Sequence, residues 1–422
     1  MMQKLQEKLS RFTGVISSNI YIVAIRDAML AYTPFTIIAS IFLILANMPF
    51  KGFNNAVSAV LHMDAAVWQG KLMTVYFVSL NIAGFLVVLT ASYAIATQLE
   101  VNLIQTLVTN VIAFLVLIPL GEGNTLALGD LGATSMFSAI IVALVGTRIY
   151  KWIDDRGIKI KMPDSVPPAV SAPFEALIPS AVVITLFWVI RMITDAFGTT
   201  FVAVINGTLG IPLLVVGGSL FGTIFVKVFG QLLWFFGIHG DSIVQGVMTP
   251  IWQVLEDENR AAALAGEALP HVINNSFINH FCGIGLVGAV IAALIIAKSR
   301  QYKEISRIAI VPYIFNVGEP ALFGFPLMLN FKLFIPFIFS NAVSALIAYV
   351  AMSIGLVAVP TGIVQLPWTM PVILSGFMVT QSISGAILQV VQLIVATLLW
   401  MPFMRRADAE VYRMEQAQEQ KA

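Results

Sequence analysis

The stretch IFNVGEPALFG, residues 314–324, holds one carboxylate, Glu319, between Gly318 and Pro320 in otherwise apolar surroundings. A charged carboxylate at the centre of a bilayer costs roughly 2.5–3.5 kcal/mol on insertion scales, so such a residue usually faces a cavity or a partner. We therefore predict that Glu319 faces a cavity or a partner. The alternative is a structural carboxylate that caps the N-terminus of a short helix.

A second candidate site is the stretch WFFGIHGD, residues 234–241. His239 lies between Gly237 and Gly240, and glycine allows a ligand to approach the backbone closely. We expect His239 and Gly240 to belong to a binding site. A histidine that is merely hydrogen-bonded in the protein core is the alternative.

Four further residues have side chains suited to binding a sugar. Trp234 and Trp368 could stack on the apolar C–H face of a sugar ring, although core packing or an interfacial aromatic belt would also explain them. Asn279 and Asn316 could donate hydrogen bonds to hydroxyl groups, and hydrogen bonds between helices explain them equally well.

Other kinds of site lack support in the sequence. The four histidines do not have the spacing of a metal site, and a single cysteine, Cys282, excludes an intramolecular disulfide framework. The chain contains no P-loop and no nucleophile triad, so we expect no metal and no cofactor. A net charge of +1 gives no electrostatic basis for binding nucleic acid.

The composition is that of an integral membrane protein. Hydrophobic residues make up 59% of the 422-residue chain and charged residues 11%, against about 45–50% and about 25% in soluble domains. The mean hydropathy is +0.91. Apolar runs of about 20 residues, long enough to cross a hydrocarbon core of roughly 30 Å, alternate with charged clusters.

The positions of basic residues predict the path through the bilayer. They are concentrated in four places: the N-terminus, 148–161, 298–307 and the C-terminus. Cytoplasmic loops carry an excess of Lys and Arg, so an even number of crossings should separate each pair of clusters. Of twelve apolar segments, two are interpreted below as re-entrant, which leaves ten crossings with both termini in the cytoplasm, provided that the apolar segment 238–255 crosses or completes a crossing.

Two apolar segments, 308–330 and 361–380, are interrupted by proline and glycine. Proline removes a backbone donor and breaks a helix, and irregular backbone at membrane depth must be buried in protein or line a cavity. We interpret both segments as re-entrant hairpins. The predicted fold is an all-α integral membrane protein with about ten transmembrane helices and two re-entrant hairpins.

The proline-rich loop 153–172 divides the chain into two halves. Intramembrane polar groups are few before it and numerous after it. We predict a scaffold half and a substrate-binding half, with an amphipathic helix before them on the membrane surface and a cytoplasmic tail after them. A solvated N-terminus is the alternative to the surface helix. The surface helix is predicted at 1–26, the scaffold half at 27–172, the substrate-binding half at 173–404 and the cytoplasmic tail at 405–422.

Four stretches together resemble one known family: VPPAVSAPFEALIP (166–179), WFFGIHG (234–240), FNVGEPALFGFPLMLN (315–330) and PWTMPVILSGF (367–377). The sequence resembles the membrane component, IIC, of the bacterial phosphoenolpyruvate-dependent sugar phosphotransferase system (PTS), in its lactose, cellobiose and diacetylchitobiose branch. The resemblance covers essentially the whole chain. In its N-terminal quarter it rests on hydropathy more than on motifs.

The resemblance implies a homodimer of ten-helix protomers with the fold of the PTS glucose superfamily, in a bacterial plasma membrane. The N-terminal half would form the dimer interface, and the C-terminal half would bind one β-linked disaccharide, such as cellobiose or diacetylchitobiose. His239 and Glu319 would contact the sugar near the hydroxyl that is phosphorylated. The further candidates for sugar contacts are Trp234, Gly240, Asn279, Asn316, Gly318 and Trp368. The chain lacks a soluble domain with a phosphorylatable cysteine, so the phosphoryl donor would be a separate cytoplasmic IIB protein, with IIA upstream.

One position departs from the family pattern. The family usually reads FNINEP, whereas this chain reads FNVGEP, so Gly318 replaces an asparagine beside the carboxylate. This replacement raises the question of whether Gly318 alters a sugar contact and the sugar preference. Two other functions stay open: a proton-coupled sugar symporter with Glu319 and His239 as its proton relay, and a membrane receptor that senses sugar.

Overall fold

The structure is a computed structural model of the chain. It describes residues 18–46, 51–163, 166–237, 239–325 and 327–420. Every regular element in these ranges is helical, as the length and spacing of the apolar runs predicted. The chain forms two compact units: an N-terminal unit, Ser17–Val215 with Gln245–Val254, and a C-terminal unit, Val216–Val244 with Leu255–Ala422.

The helices of the N-terminal unit are, in chain order, α1 (Ile20–Ala46), α2 (Lys51–Leu61), α3 (Ala65–Phe77), α4 (Ala83–Gln98), α5 (Leu103–Leu117), α6 (Met136–Asp155), α7 (Pro168–Ala196), α8 (Phe201–Ile205) and most of α9 (Ile211–Gly217). Polar residues inside this unit bond to neighbouring helices. Asn110 of α5 donates from Nδ2 to Thr147 Oγ1 of α6 at 2.8 Å and to Ser92 Oγ of α4 at 3.1 Å. These bonds tie three apolar helices together, because a buried amide must find partners.

Arg191 of α7 has a structural role in the same unit. Its Nη1 donates to the carbonyl oxygens of Val116 at 2.8 Å and Ile118 at 3.1 Å, at the C-terminal end of α5. The last carbonyl groups of a helix have no partner within that helix, so a cation there is well placed. The charge of Arg191 is thus used to hold α7 against α5.

The helices of the C-terminal unit are α10 (Leu220–Phe235), α11 (Gly240–Ala265, whose middle belongs to the N-terminal unit), α12 (Asn275–Phe281), α13 (Val287–Ile296), α14 (Arg300–Ile314), α15 (Glu319–Gly324), α16 (Phe334–Ser353), α17 (Leu374–Thr380) and α18 (Ile383–Glu419). Glycine allows close packing here, as is typical of membrane helices. A Cβ on Gly288 of α13 would lie 2.5 Å from the backbone carbon of Ala396 in α18. A larger residue at Gly288 would force α13 and α18 apart.

Seven helical stretches of the described residues are long and apolar enough to cross a membrane: Ile20–Leu43, Ala65–Gln98, Ala133–Asp155, Val170–Ala196, Asn275–Ile296, Phe334–Ser353 and Ile383–Glu419. The helix pair Phe201–Gly217 and Leu220–Phe235 would make an eighth if taken as one span. These findings confirm a multi-span helical membrane protein. The predicted number of ten crossings and the crossing at 238–255 stay predictions.

The two units divide the chain later than the sequence suggested. The predicted boundary was residue 172, whereas the N-terminal unit continues to Val215 and so includes all of α7. The assignment of scaffold and substrate-binding roles to the two halves stays a prediction. Of the predicted surface helix 1–26, residues 1–17 lie outside the described residues, and 20–26 form the beginning of α1.

Both proline-rich segments have the interrupted backbone that the sequence predicted. In 308–330, α14 ends at Ile314, a turn follows, and the short helix α15 begins at Glu319. In 361–380, residues 361–373 are irregular before α17 begins. Whether these segments enter and leave the bilayer on one side stays a prediction.

Candidate functional site

The turn after α10 holds the first two candidate residues. Gly237 adopts φ +81°, a left-handed conformation that glycine adopts without strain, and its N–H donates to Trp234 O at 2.9 Å. The chain reverses there, so that the rings of Trp234 and His239 lie with their centroids 4.3 Å apart. Trp234 is buried while His239 is exposed. The buried indole therefore supports one side of an exposed imidazole.

Asp241 fixes the indole and was not among the predicted site residues. Trp234 Nε1 donates to Asp241 Oδ2 at 2.9 Å across the turn. An indole N–H needs an acceptor when it is buried, and the carboxylate in the first turn of α11 provides one. The sequence signal was the acidic residue two positions after His239, in the pattern WFFGIHGD.

Gly240 has a packing role that the sequence did not reveal. It is the first residue of α11, and a Cβ there would lie 2.0 Å from Gly230 O of α10. Only glycine fits at this contact. In the structure, the backbone that comes close to Gly240 is that of α10. A contact between Gly240 and a ligand stays a prediction.

Glu319 begins α15, directly after the turn that follows α14. Asn316 in that turn adopts φ +58°, a left-handed conformation for which asparagine is one of the better residues. Gly318 is the N-cap, and its carbonyl oxygen accepts from the N–H groups of Ala321 at 3.1 Å and Leu322 at 3.0 Å. The side chain of Glu319 lies outside the described part of the structure, so its predicted contacts stay predictions.

Asn316 links the two interrupted segments. Its Nδ2 donates to the carbonyl oxygens of Trp368 at 2.7 Å and Met370 at 2.9 Å. One amide thus holds the turn before Glu319 against the irregular stretch that contains Trp368. Trp368 is 51% exposed, and stacking of its indole on a sugar stays a prediction.

The loop after α15 returns to the turn that contains His239. Leu329 N donates to Phe235 O at 3.0 Å, and Met328 Sδ lies 3.7 Å from where a Cβ on Gly237 would be. The Phe235 ring also meets the rings of Phe331 and Phe334 edge-on, with centroids 5.1 and 4.9 Å apart. The motif around His239 and the motif around Glu319 are therefore neighbours.

Asn279 is satisfied within its own helix, because its Nδ2 donates to Asn275 Oδ1 one turn earlier at 3.2 Å. The contacts described above join Trp234, Asn316, Gly318 and Trp368 to the arrangement around His239 and Glu319, and they do not extend to Asn279. Its role in sugar binding stays a prediction.

A buried charged cluster holds the second irregular segment in place, and it was not predicted. Arg260 of α11 donates from Nε to Gly362 O at 2.8 Å and pairs with Asp257 at 2.6 Å. Glu256, which is fully buried, accepts from Ser276 N at 3.1 Å and also from the Ser276 hydroxyl. Charges are buried only when paired and hydrogen-bonded, so these contacts define a fixed anchor for the backbone at 362.

The sequence offered a weak signal for this cluster. The run EDENR, residues 256–260, follows an apolar segment and resembles an ordinary solvated helix end. Its members Glu256 and Arg260 are four residues apart and therefore share a helix face. Burial of that face could not be inferred, since the partners lie 20 and 102 residues further along the chain.

Gln389 of α18 supports the same segment from its other end. Its Oε1 accepts from Ile373 N at 2.6 Å and Gly376 N at 2.9 Å, and its Nε2 donates to His280 O at 2.7 Å. Ile373 adopts φ +78°, which is unfavourable for a β-branched residue. The buried amide of Gln389 compensates this strain with a hydrogen bond.

Comparison with known proteins adds an independent line of evidence. The family model described as "Phosphotransferase system, EIIC" matches residues 26–341. The chain is 36% identical to the lichenan permease IIC component of Bacillus subtilis (strain 168), over 98% of this chain and 95% of the relative. It is also 36% identical to the cellobiose-specific EIIC component of Geobacillus stearothermophilus, with the same coverage.

A solved structure has the same fold. It is the transporter ChbC, the IIC component of an N,N'-diacetylchitobiose-specific phosphotransferase system. The TM-score is 0.92 at 32% sequence identity, over 98% of this chain and 99% of that chain.

Proposed function

The chain belongs to the EIIC family of the sugar phosphotransferase system, and from this premise we propose that it is the membrane permease for a β-linked disaccharide. In this proposal it binds the sugar from outside, carries it across the bacterial plasma membrane and presents its C6 hydroxyl for phosphorylation. The relatives are named for lichenan, cellobiose and diacetylchitobiose, which supports β-linked glucose or N-acetylglucosamine units. Cellobiose and diacetylchitobiose are the two substrates that we propose to test first.

One observation carries the proposal: a single amide, that of Asn316, joins the two interrupted segments beside Glu319. Irregular backbone in a membrane protein belongs at a cavity or within protein, and ligand sites of transporters form at such discontinuous helices. The bond between Leu329 and Phe235 adds the turn that contains His239. A sugar in this place would have carboxylate, imidazole, amide and indole groups within one neighbourhood.

The residues suggest how the hydroxyl is prepared for reaction. Glu319 accepts a hydrogen bond from the C6 hydroxyl and takes its proton as the oxygen attacks phosphorus. The bond between phosphorus and the cysteine sulfur of IIB breaks, and the sulfur leaves as a thiolate. His239, supported by Trp234, orients the same hydroxyl. Because phosphoryl transfer depends mostly on positioning, fixed segments around Glu319 are what this chemistry needs.

The partners follow from the same proposal. The phosphoryl donor is a phosphorylated cytoplasmic IIB protein that receives its phosphoryl group from IIA. Both termini lie in the cytoplasm, where the basic clusters of the chain are expected. The permease works as a homodimer, with the N-terminal half at the interface and one sugar in each C-terminal half. The chain provides the sugar site, and the reacting cysteine comes from IIB.

The test measures sugar phosphorylation in membranes that contain the full chain and are supplied with phosphorylated IIB and labelled cellobiose or diacetylchitobiose. Glu319→Gln is expected to lower the rate by about 10²–10⁴-fold, the usual contribution of a general base. The matched control is Glu304→Gln, which changes an exposed carboxylate of α14 that pairs with Arg307 at 3.1 Å. Its rate should equal that of the wild type.

Three results would contradict the proposal. Wild-type activity of Glu319→Gln would remove Glu319 from the reaction. Accumulation of unmodified sugar, abolished by a protonophore and independent of IIB, would instead identify a proton-coupled symporter. Binding of sugar without accumulation would identify a receptor.

A further inference from the structure

The last helix, α18, is much longer than a membrane crossing requires. Its 37 residues correspond to about 55 Å at the rise of an α-helix, roughly 25 Å more than a hydrocarbon core. The extra length is the charged part from Arg405 onward. Four of its carboxylates contact the segment 298–332, which carries Asn316, Gly318 and Glu319. Glu419 makes only an exposed ion pair with Arg300 at 3.6 Å, and the other three make closer contacts.

Asp408 binds the start of that segment. Its Oδ2 accepts from Lys298 N at 2.8 Å, and its Oδ1 accepts from Ser299 N at 3.0 Å and Ser299 Oγ at 2.6 Å. Ser299 is completely buried and Asp408 is only 3% exposed. A carboxylate shielded from water in this way makes strong, charge-assisted hydrogen bonds.

Glu415 binds the next two amides, two helical turns further along the same face of α18. Its two carboxylate oxygens accept from Arg300 N at 2.9 Å and Gln301 N at 3.0 Å. The following amide, Tyr302 N, donates to Ser299 Oγ at 3.3 Å. The first N–H groups of a helix have no partner within it, and here α18 supplies partners for most of them, together with negative charge at the positive end of the helix dipole.

Glu410 binds the other end of the segment. It forms an ion pair with Lys332, which follows the loop whose Leu329 bonds to Phe235. Glu410 is two residues from Asp408 and so points to a different side of α18. The segment therefore leaves α18 at 298, forms α14, the turn and α15, and returns to α18 at 332.

Contacts inside the segment connect its ends to its middle. The rings of Tyr302 in α14 and Phe325, just after α15, lie with centroids 5.2 Å apart. A Cβ on Gly324 would lie 2.7 Å from Ile305 Cγ2. The two helices of the segment, α14 and α15, thus pack directly on one another.

Tyr302 also lies close to the carboxylates of α18. Its burial, together with the nearby charges of Asp408 and Glu410, raises the pKa of its phenol to about 12.

We propose that Asp408, Glu410 and Glu415 are positioning residues, a carboxylate clamp that holds the segment 298–332 so that Glu319 faces the sugar. α14, α15 and α18 all belong to the same compact unit. The inference rests on the proposed function for its consequence in catalysis. The contacts of the clamp can be tested without any sugar.

The first experiment measures amide hydrogen exchange of the purified full chain, in peptides that cover residues 315–325. Asp408→Ala removes the carboxylate that accepts from Lys298 N and Ser299 N. Exchange in 315–325 should therefore increase by about tenfold, which corresponds to a loss of about 1.4 kcal/mol in the opening equilibrium. Exchange in α6 of the N-terminal unit should not change. Glu304→Gln, which removes a carboxylate from α14 outside the clamp, is the control and should leave exchange unchanged.

The second experiment exchanges the charges of the ion pair. Lys332→Glu and Glu410→Lys should each weaken binding of labelled cellobiose and slow phosphorylation, and the double variant should recover most of the wild-type values. Thermal unfolding of the three variants is measured beside binding, because a reversed ion pair restores stability as well as position. Weaker binding in the single variants with unchanged unfolding identifies positioning.

The results separate the clamp from the proposed function. Unchanged exchange at 315–325 in Asp408→Ala, or a double charge-swap variant no better than either single one, would overturn the clamp. If exchange responds as expected and the wild-type protein neither binds nor phosphorylates either disaccharide, the clamp stands and the proposed substrate class fails.

Discussion

A Cβ atom on Gly318 would lie 2.5 Å from the hydroxyl oxygen of Tyr313 and 3.0 Å from its ring carbon Cζ. Tyr313 is buried in the core of the C-terminal unit, so its ring has little room to retreat. The tyrosine occupies the space that a side chain at 318 would need. This contact gives a structural reason why glycine stands where the family pattern has asparagine.

The first prediction concerns this pair of residues. Gly318→Asn and Gly318→Ala should each destabilise the protein by about 1–3 kcal/mol, the usual cost of overpacking a filled core. Combined with Tyr313→Phe, which removes the closer of the two contacts, Gly318→Ala should cost less than the sum of the two single changes. The measurement is thermal unfolding of the detergent-purified protein.

A suitable control is Gly283→Ala. Gly283 has φ −99° and ψ −2°, close to the φ −92° and ψ −12° of Gly318, and a Cβ there would meet no atom within 4 Å. Its substitution should leave stability nearly unchanged. If Gly318→Ala proves equally harmless, the contact with Tyr313 does not explain the glycine.

The sequence was informative about chemistry that is local in the chain. Proline and glycine marked both interrupted segments, and the structure has irregular backbone in each. The stretch around His239 was recognised from two flanking glycines, of which Gly237 has the positive φ that glycine favours. Such features depend on neighbouring residues only, so they can be recognised in a single sequence.

The sequence was silent about contacts between distant residues. Gly240 looked like a place for a ligand, yet the nearest atom to its missing Cβ is Gly230 O. Arg260 was not singled out in the sequence, and it binds a backbone carbonyl 102 residues away. Buried polar partners of this kind depend on how helices pack, and packing is not encoded in any short stretch.

The second prediction concerns the amide of Asn316, which joins the two interrupted segments. Asn316→Asp keeps the shape but replaces the donor by a carboxylate, which would face the carbonyl oxygens of Trp368 and Met370. Oxygen atoms without a shared proton repel each other, and at the half-buried Asn316 water screens only part of this repulsion. We expect binding of labelled cellobiose to weaken by about tenfold or more.

Asn330→Asp serves as the comparison for Asn316→Asp. Asn330 uses its Oδ1 oxygen to accept from Lys332 N at 3.1 Å, and a carboxylate can accept the same bond. Its sugar binding should stay close to that of the wild type. Equal affinity of the Asn316→Asp and wild-type proteins would show that the link between the segments is not needed for the site.

The third prediction concerns Gly362, the point at which the buried charged cluster holds the second interrupted segment. Gly362 has φ +74°, and a Cβ there would lie 2.5 Å from Glu256 O and 2.9 Å from Glu256 Cγ. Gly362→Ala therefore combines a left-handed backbone, which costs roughly 1–2 kcal/mol for other residues, with a collision against backbone that cannot move. Gly355→Ala measures the cost of the left-handed backbone alone, since Gly355 has φ +76° and no atom lies within 4 Å of where its Cβ would be. Thermal unfolding should show a loss of about 1–2 kcal/mol for Gly355→Ala and at least about 1 kcal/mol more for Gly362→Ala. Equal losses in the two variants would mean that Glu256 and Arg260 do not hold the segment as tightly as the contacts indicate.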